Sequence, residues 1–239
     1  MKRLLLLTLT GFIFTAGQAQ EKNDLSMSVD FKTIAGLGRM QTTDAFQSYK
    51  TGTVTGTQFY NTTWTEGTVT TTGNETISNY LLLYDKVRQE LFIRPKDSNL
   101  IIQADKSQVK AFSLAMDKPH QFVPAAIYDN TIASNFFEVL VPATPGKAYA
   151  LFKLTKTTFE KADYADMLKV KNGEVTDAFV DNVSYYLLHN GALIKVQLKE
   201  KALRKAFADD TKKVDAFFTL HDGENFNEGL LIKLVETLN

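Results

Sequence analysis

The chain contains no cysteine, so it forms no disulfide and presents no thiolate to a metal or to a nucleophilic mechanism. The same absence excludes a lipid-modified cysteine behind a leader cut. Histidine is almost as scarce. His120, His189 and His221 are the three present, with no HExxH and no pair four residues apart. A histidine metal site would have to be assembled from distant segments, and all three residues are expected in loops or at the surface. Charge of neither sign dominates, since 27 basic residues face 27 acidic ones. A balanced chain has no general attraction for phosphate backbones or anionic lipid, so no nucleic acid is expected as a partner. Signature loops are missing too: there is no GxxxxGK[ST] and no GxSxG nucleophile elbow. No apolar run reaches the ~20 residues of a membrane-spanning helix.

What is present begins at the N-terminus. Met1-Lys2-Arg3 is positive, and Leu4 to Ala16 is apolar apart from Thr8, Thr10, Gly11 and Thr15. Small residues then stand at Gly17 and Ala19. That order is the pattern of a secretory signal peptide, residues 1–19, cut between Ala19 and Gln20. The cut would leave 220 residues with 25 basic and 27 acidic side chains, a net charge of about −2. A chain of that length buries enough surface to fold without covalent staples. The expected location is exported, periplasmic or associated with the outer envelope, with no transmembrane segment in the mature chain.

Organisation follows periodicity. Residues 20–48 are polar and weakly periodic, and read as an N-terminal arm or loop with room for one short strand or helix. From about Thr53 the apolar period becomes two, punctuated by turn signals at Gly52, Gly56, Gly67 and Thr72-Gly73-Asn74. Strands are predicted at Tyr80–Tyr84, Leu91–Ile93, Leu100–Ile102, Val109–Leu114, Phe136–Val141 and Tyr149–Leu154. Asn190-Gly191 predicts a type I′ hairpin between Ser184–Leu188 and Leu193–Leu198. After Leu198 the spacing turns helical, with Leu198, Ala202, Leu203, Ala206 and Phe207 on one face. Asp210 or Thr211 is placed to cap a second helix carrying Val214, Phe217 and Phe218. Asn225 with Glu228 has capping-box spacing before the stripe Leu230, Leu231, Leu234, Val235 and Leu238. The expected fold class is mainly β, or α+β. Its body over 49–198 is an antiparallel β meander or sandwich-like arrangement, and a short C-terminal helical element over 199–239 packs on it. An outer-membrane barrel is disfavoured, because such strands need about ten residues and an unbroken apolar face.

Few patterns carry chemistry. Ser107-Gln108-Val109-Lys110 has SxxK spacing, but on an alternating strand its serine and lysine point to opposite faces. Gly36-Leu37-Gly38 lacks the third glycine of a dinucleotide loop. Asp222-Gly223-Glu224-Asn225 has calcium-like composition without EF-hand spacing, and reads as a helix start. Asp163 with Asp166, and Asp209 with Asp210, are close in sequence. That does not set two carboxylates on opposite sides of a glycosidic bond. No catalytic residue, cofactor-binding residue or metal ligand is assigned, and no cofactor is expected. The aromatics Phe59, Tyr60, Trp64, Tyr80 and Tyr84 admit two readings: cross-strand core pairs, which alternation favours, or a ligand-stacking surface.

The run Gly52-Thr53-Val54-Thr55-Gly56-Thr57-Gln58-Phe59, followed by Trp64-Thr65-Glu66-Gly67-Thr68-Val69, resembles a recurring family of exported Bacteroidota-type proteins. There a G-x-V-x-G-x-x-[FY] segment precedes W-x-x-G-x-V. The later strands Leu81–Tyr84 and Glu90-Leu91-Phe92-Ile93 are similar to that family as well. So are Tyr185-Tyr186-Leu187, the lysine-rich helix from Lys199, Phe217-Phe218 and the final Leu238-Asn239. The resemblance spans about residues 49–239 and implies export and a single-unit architecture. It transfers no functional residue, since the family carries no assigned activity. The function expected is a non-catalytic ligand-binding or structural module of the cell envelope, its partner an envelope protein or a small ligand. The alternative is a carboxylate-dependent hydrolase acting on envelope glycans.

Overall fold

A computed structural model describes residues 36–41, 54–165, 167–172 and 175–239. The leader, most of the arm, Gly52 and Asp166 lie outside the described residues. The chain is mainly β, with a short helical element at its C-terminal end. The strands are β1 (Gly38–Gln41), β2 (Val54–Thr55), β3 (Thr65–Thr71), β4 (Thr76–Asp85), β5 (Glu90–Pro95) and β6 (Ile101–Ala104). They continue as β7 (Val109–Ala115), β8 (Pro119–Pro124), β9 (Phe136–Val141), β10 (Tyr149–Glu160), β11 (Asp177–His189) and β12 (Ala192–Val196). All join one sheet in the order β1-β6-β5-β4-β3-β7-β8-β9-β10-β11-β12, with β2 alongside β11. Among the described residues only that two-residue β2–β11 contact is parallel.

Two meanders, β3–β6 and β7–β12, are joined through the β3–β7 pair. Only Asp105–Gln108 separate β6 from β7 in sequence, yet β5, β4 and β3 lie between them in the sheet. A flat sheet would hold those two strands about 19 Å apart before any offset along their length. Five fully extended steps reach only about 18 Å. The link is shorter still, because Lys106–Gln108 turn as a 3-10 helix capped by Asp105, whose side chain accepts from Ser107 N. The sheet therefore curls. Its concave side closes on a core in which Tyr84, Phe112, Phe122 and Phe136 pack ring on ring, 4.7–5.9 Å between centroids.

The β4–β5 turn fastens this curl to the second meander. Gln89 adopts the left-handed conformation at φ 58° and is buried. Its amide nitrogen donates to Lys86 O and Thr155 O, while its carbonyl accepts from the Tyr84 hydroxyl and from Phe136 N. A buried amide with every polar site satisfied holds the turn against β9 and β10 at little desolvation cost. Beside it Lys86 Nζ meets both oxygens of Asp181 on β11 at 2.7–2.8 Å.

A second core lies under the helices. Besides the short α1 (Met167–Lys171), these are α2 (Glu200–Ala206), α3 (Thr211–Leu220) and α4 (Glu228–Leu238). Leu203, Phe207, Val214 and Phe217 join the α4 stripe Leu230, Leu231, Leu234, Val235 and Leu238 against Val141, Leu151 and Leu187 of the sheet. Each such side chain contributes about 1.5–3 kcal/mol on burial, which orders helices too short to stand alone. Asn190 and Gly191 supply the two positive φ angles of the β11–β12 hairpin, 49° and 77°.

Local details differ from expectation. Asn227, not Asn225, caps α4, because the helix opens at Glu228 and the side chain at 227 reaches Leu230 N. Asp210 precedes α3 without a side-chain cap bond, and the Thr211 hydroxyl donates back to Ala208 O instead. Gly67 is not a turn. It sits inside β3 where the register with β4 shifts, and a Cβ there would lie 2.1 Å from Ser113 O. No helix among the described residues is long and apolar enough to cross a membrane.

Candidate functional site

The five aromatics divide between the two faces of one sheet. Tyr80 and Tyr84 are buried in the curl, with Tyr60 packed against them. Phe59 and Trp64 lie on the other face, against Leu83, Phe92 and Ile101. Alternation decides the division, since Leu82 and Tyr84 point inward and Leu83 outward. Tyr80 and Tyr84 are core, Tyr60, Phe59 and Trp64 are half-buried against core clusters, and Phe59 and Trp64 also line a pocket.

On the inward face, register assembles a polar row that no local motif announced. Glu138 on β9 stands opposite Lys153 on β10, Lys153 stands opposite Tyr185 on β11, and His120 on β8 lies two residues from Glu138's partner Phe122. Tyr60 Oη is 3.0 Å from Glu138 Oε1 and 2.9 Å from His120 Nδ1. His120 Nδ1 is itself 2.7 Å from Glu138 Oε1. A carboxylate only accepts, so His120 carries a proton on Nδ1. Lys153 Nζ lies 2.9 Å from Glu138 Oε2, an ion pair outside hydrogen-bond angles, and 3.1 Å from Glu228 Oε2 on α4. The Tyr185 hydroxyl ends the row on Glu228 Oε2 at 3.0 Å.

Glu138 is 5% exposed. Burial alone would raise its carboxyl, but Lys153, with the His120 and Tyr60 donors, holds it below the usual glutamate value. Burial would lower Lys153 in turn, and the carboxylates of Glu138 and Glu228 raise it instead. Burial and nearby carboxylates push the Tyr60 and Tyr185 hydroxyls up, so both stay protonated. Glu138 orients His120 through Nδ1 as a base-orienting carboxylate would. The far nitrogen, however, faces Asp117 at 3.7 Å rather than a nucleophile, and both glutamates are engaged by Lys153. The row ties the concave core to α4.

The other residues singled out by sequence have local partners. Asp209 is 3.0 Å from His189 Nε2, and Asp210 accepts from the Tyr149 hydroxyl at 2.8 Å. Asp163 accepts from Ala165 N. The Ser107 hydroxyl donates to Asp105 and Lys110 donates to Asn74, so the SxxK residues do not meet. Ser107 lies on the 3-10 turn rather than the strand. His120 departs from the loop-or-surface expectation, because strand β8 carries it into the polar row. Among the described residues no group of three or more histidines and acids could hold a metal ion.

The outward face carries a pocket of about 310 Å³ between the 59–64 segment and strands β4–β6. Cross-strand pairing places Leu83, Arg94 and Ile101 on that face. The segment over them is pinned by buried Asn61. Its amide donates to Thr63 O and Leu82 O at 2.8 Å, and its carbonyl accepts from Tyr84 N at 3.1 Å. Trp64 is thereby positioned in advance of any ligand. The Arg94 guanidinium carbon lies 4.8 Å from the Trp64 ring centroid, a cation–π contact. Arg94 Nε is buried without an acceptor among the described residues. Glu66, the acid aligned with Arg94 through Leu81, is held by Lys96 at 2.5 Å. A buried donor left unpaired costs about 1–3 kcal/mol. Thr62, Thr63 and Asn99 complete a polar fringe around the apolar floor.

Family models, curated proteins and solved structures offer no match to the chain, so its functional assignment comes from the geometry of its own residues.

Proposed function

We propose that the chain is an exported, non-catalytic binding module of the cell envelope, and that the Trp64 pocket is its ligand site. The observation that carries this reading is the pocket itself: an indole held by a pinned segment, an apolar floor and an arginine stacked on the indole at its edge. Apolar walls with a few convergent polar groups are the usual composition of a small-ligand site. The inward polar row supports the non-catalytic half of the reading, since its acids, lysine and histidine are engaged by one another. The leader pattern of residues 1–19 supports export.

Trp64 is the only tryptophan, so intrinsic fluorescence reports on the site directly. Titration of the exported protein with soluble envelope oligosaccharides and with short fatty acids is expected to give a saturable change for one class. Trp64→Ala should weaken that binding, read by calorimetry, by about tenfold or more in a variant that stays folded by circular dichroism. Some melting temperature should be lost, because the ring packs on Leu83, Phe92 and Ile101. No binding of any titrant would overturn the reading, and release of new reducing ends would favour the glycan hydrolase. The exported chain should begin at Gln20 by mass; an intact Met1 would overturn export by cleavage.

A further inference from the structure

The lining of the Trp64 pocket narrows the kind of ligand. Among the described residues that line it, Arg94 is the one that carries charge. A guanidinium offers its two amino N–H groups as a planar fork that takes a carboxylate. A phosphomonoester, at about −1.5 to −2, would leave charge uncompensated against a single cation. The nearest aligned acid is occupied by Lys96, so no described carboxylate of the chain already fills that fork. The remaining groups argue for a ring bearing hydroxyls. Phe59 and Trp64 offer aromatic surface to the C–H face of a pyranose, while Thr62, Thr63 and Asn99 offer hydroxyl and amide groups that an acyl chain would leave unpaired. At about 310 Å³ the pocket is at the small end for ligand sites, which suits one ring of a longer chain lying along the surface.

We propose that the pocket recognises an acidic glycan, one uronic-acid ring seated against Trp64 and Phe59 with its carboxylate on Arg94. This rests on the Trp64 pocket being the ligand site.

The test is calorimetric titration of the full exported chain with trigalacturonic acid, with its methyl ester and with octanoate, repeated on Arg94→Lys. The acid is expected to bind about tenfold or more tighter than the ester, and to weaken as salt is raised while the ester does not. Arg94→Lys, which keeps the charge but loses the planar fork, is expected to weaken the acid about tenfold and to narrow the acid-to-ester ratio. Equal affinity for acid and ester in the wild type would overturn the carboxylate assignment and leave the binding module standing, and that comparison needs no variant. Tighter binding of octanoate would overturn the sugar assignment alone. Absence of binding by all three would overturn both.

Discussion

Lys153 is the residue on which two carboxylates depend. Glu138 is buried beside it, and Glu228 reaches it from α4. Lys153→Met would leave Glu138 without its cation and is expected to cost about 3–5 kcal/mol by urea unfolding. Glu138→Gln keeps an acceptor for Tyr60 and His120 and leaves Lys153 with Glu228, so about 1–2 kcal/mol is expected. Equal losses from the two variants would show that Lys153 is not the hub. The pH dependence follows from the same contacts. Glu138 titrates lower folded than unfolded, so its contribution is present above the unfolded value of about 4.3 and is lost as pH falls through the folded one. Lys153 titrates higher folded than unfolded. Its contribution is complete below about 10.4 and is lost as pH rises through the folded value. Glu138→Gln should therefore flatten the acid limb of the urea midpoint measured against pH, and soften the alkaline limb as well, because Lys153 keeps only Glu228. An unchanged acid limb would assign that limb to other carboxylates.

Elements differ in how much of their placement is local. The β11–β12 hairpin was legible because Asn190 and Gly191 meet a φ requirement that two residues satisfy alone. The α4 stripe was legible because five apolar residues at helical spacing define a face whatever they meet. Gly67 reads as a turn in sequence for the opposite reason. A turn glycine and a close-approach glycine look alike in sequence, and only the β3–β7 pairing reveals that Ser113 O and Leu82 crowd the position. The two cases separate on substitution. Gly67→Ala is expected to cost about 1–3 kcal/mol by overpacking between strands. Gly73→Ala, where the added Cβ would meet only the Thr71 hydroxyl at 3.4 Å, should fall within about 0.5 kcal/mol of wild type. Thermal melts that rank the two variants the other way would remove the close-approach account. The polar row was hidden for a related reason. His120, Glu138 and Lys153 stand on three strands and become neighbours only through register. The one local hint was a charge inside the apolar runs Phe136–Val141 and Tyr149–Leu154. The pocket was half legible: its aromatics were marked, while the role of Arg94 depends on which face β5 turns outward.

At the scale of the whole molecule the question is whether the two largest cores unfold together. One fills the curl of β3–β9 and the other lies beneath α2–α4. Three devices cross between them: continuous pairing through β8, β9 and β10, the Gln89 amide between the β4–β5 turn and β9–β10, and the row from Tyr60 to Glu228. Each would be broken if one core opened while the other held, leaving buried charge and unpaired backbone groups exposed to no partner. Separate unfolding is therefore penalised beyond the loss of either core alone. The molecule carries two independent reporters of this coupling. Trp64 stands over the first meander, whereas α2, α3 and α4 all lie on the second core. Urea unfolding followed by Trp64 fluorescence and by far-ultraviolet circular dichroism at helical wavelengths should give coincident transitions. Gln89→Ala, which deletes four hydrogen bonds at the junction, should lower both midpoints together. If the fluorescence midpoint fell while the helical signal stayed in place, the junction would be a contact between two independently stable units, and the curl would owe its stability to its aromatic core alone.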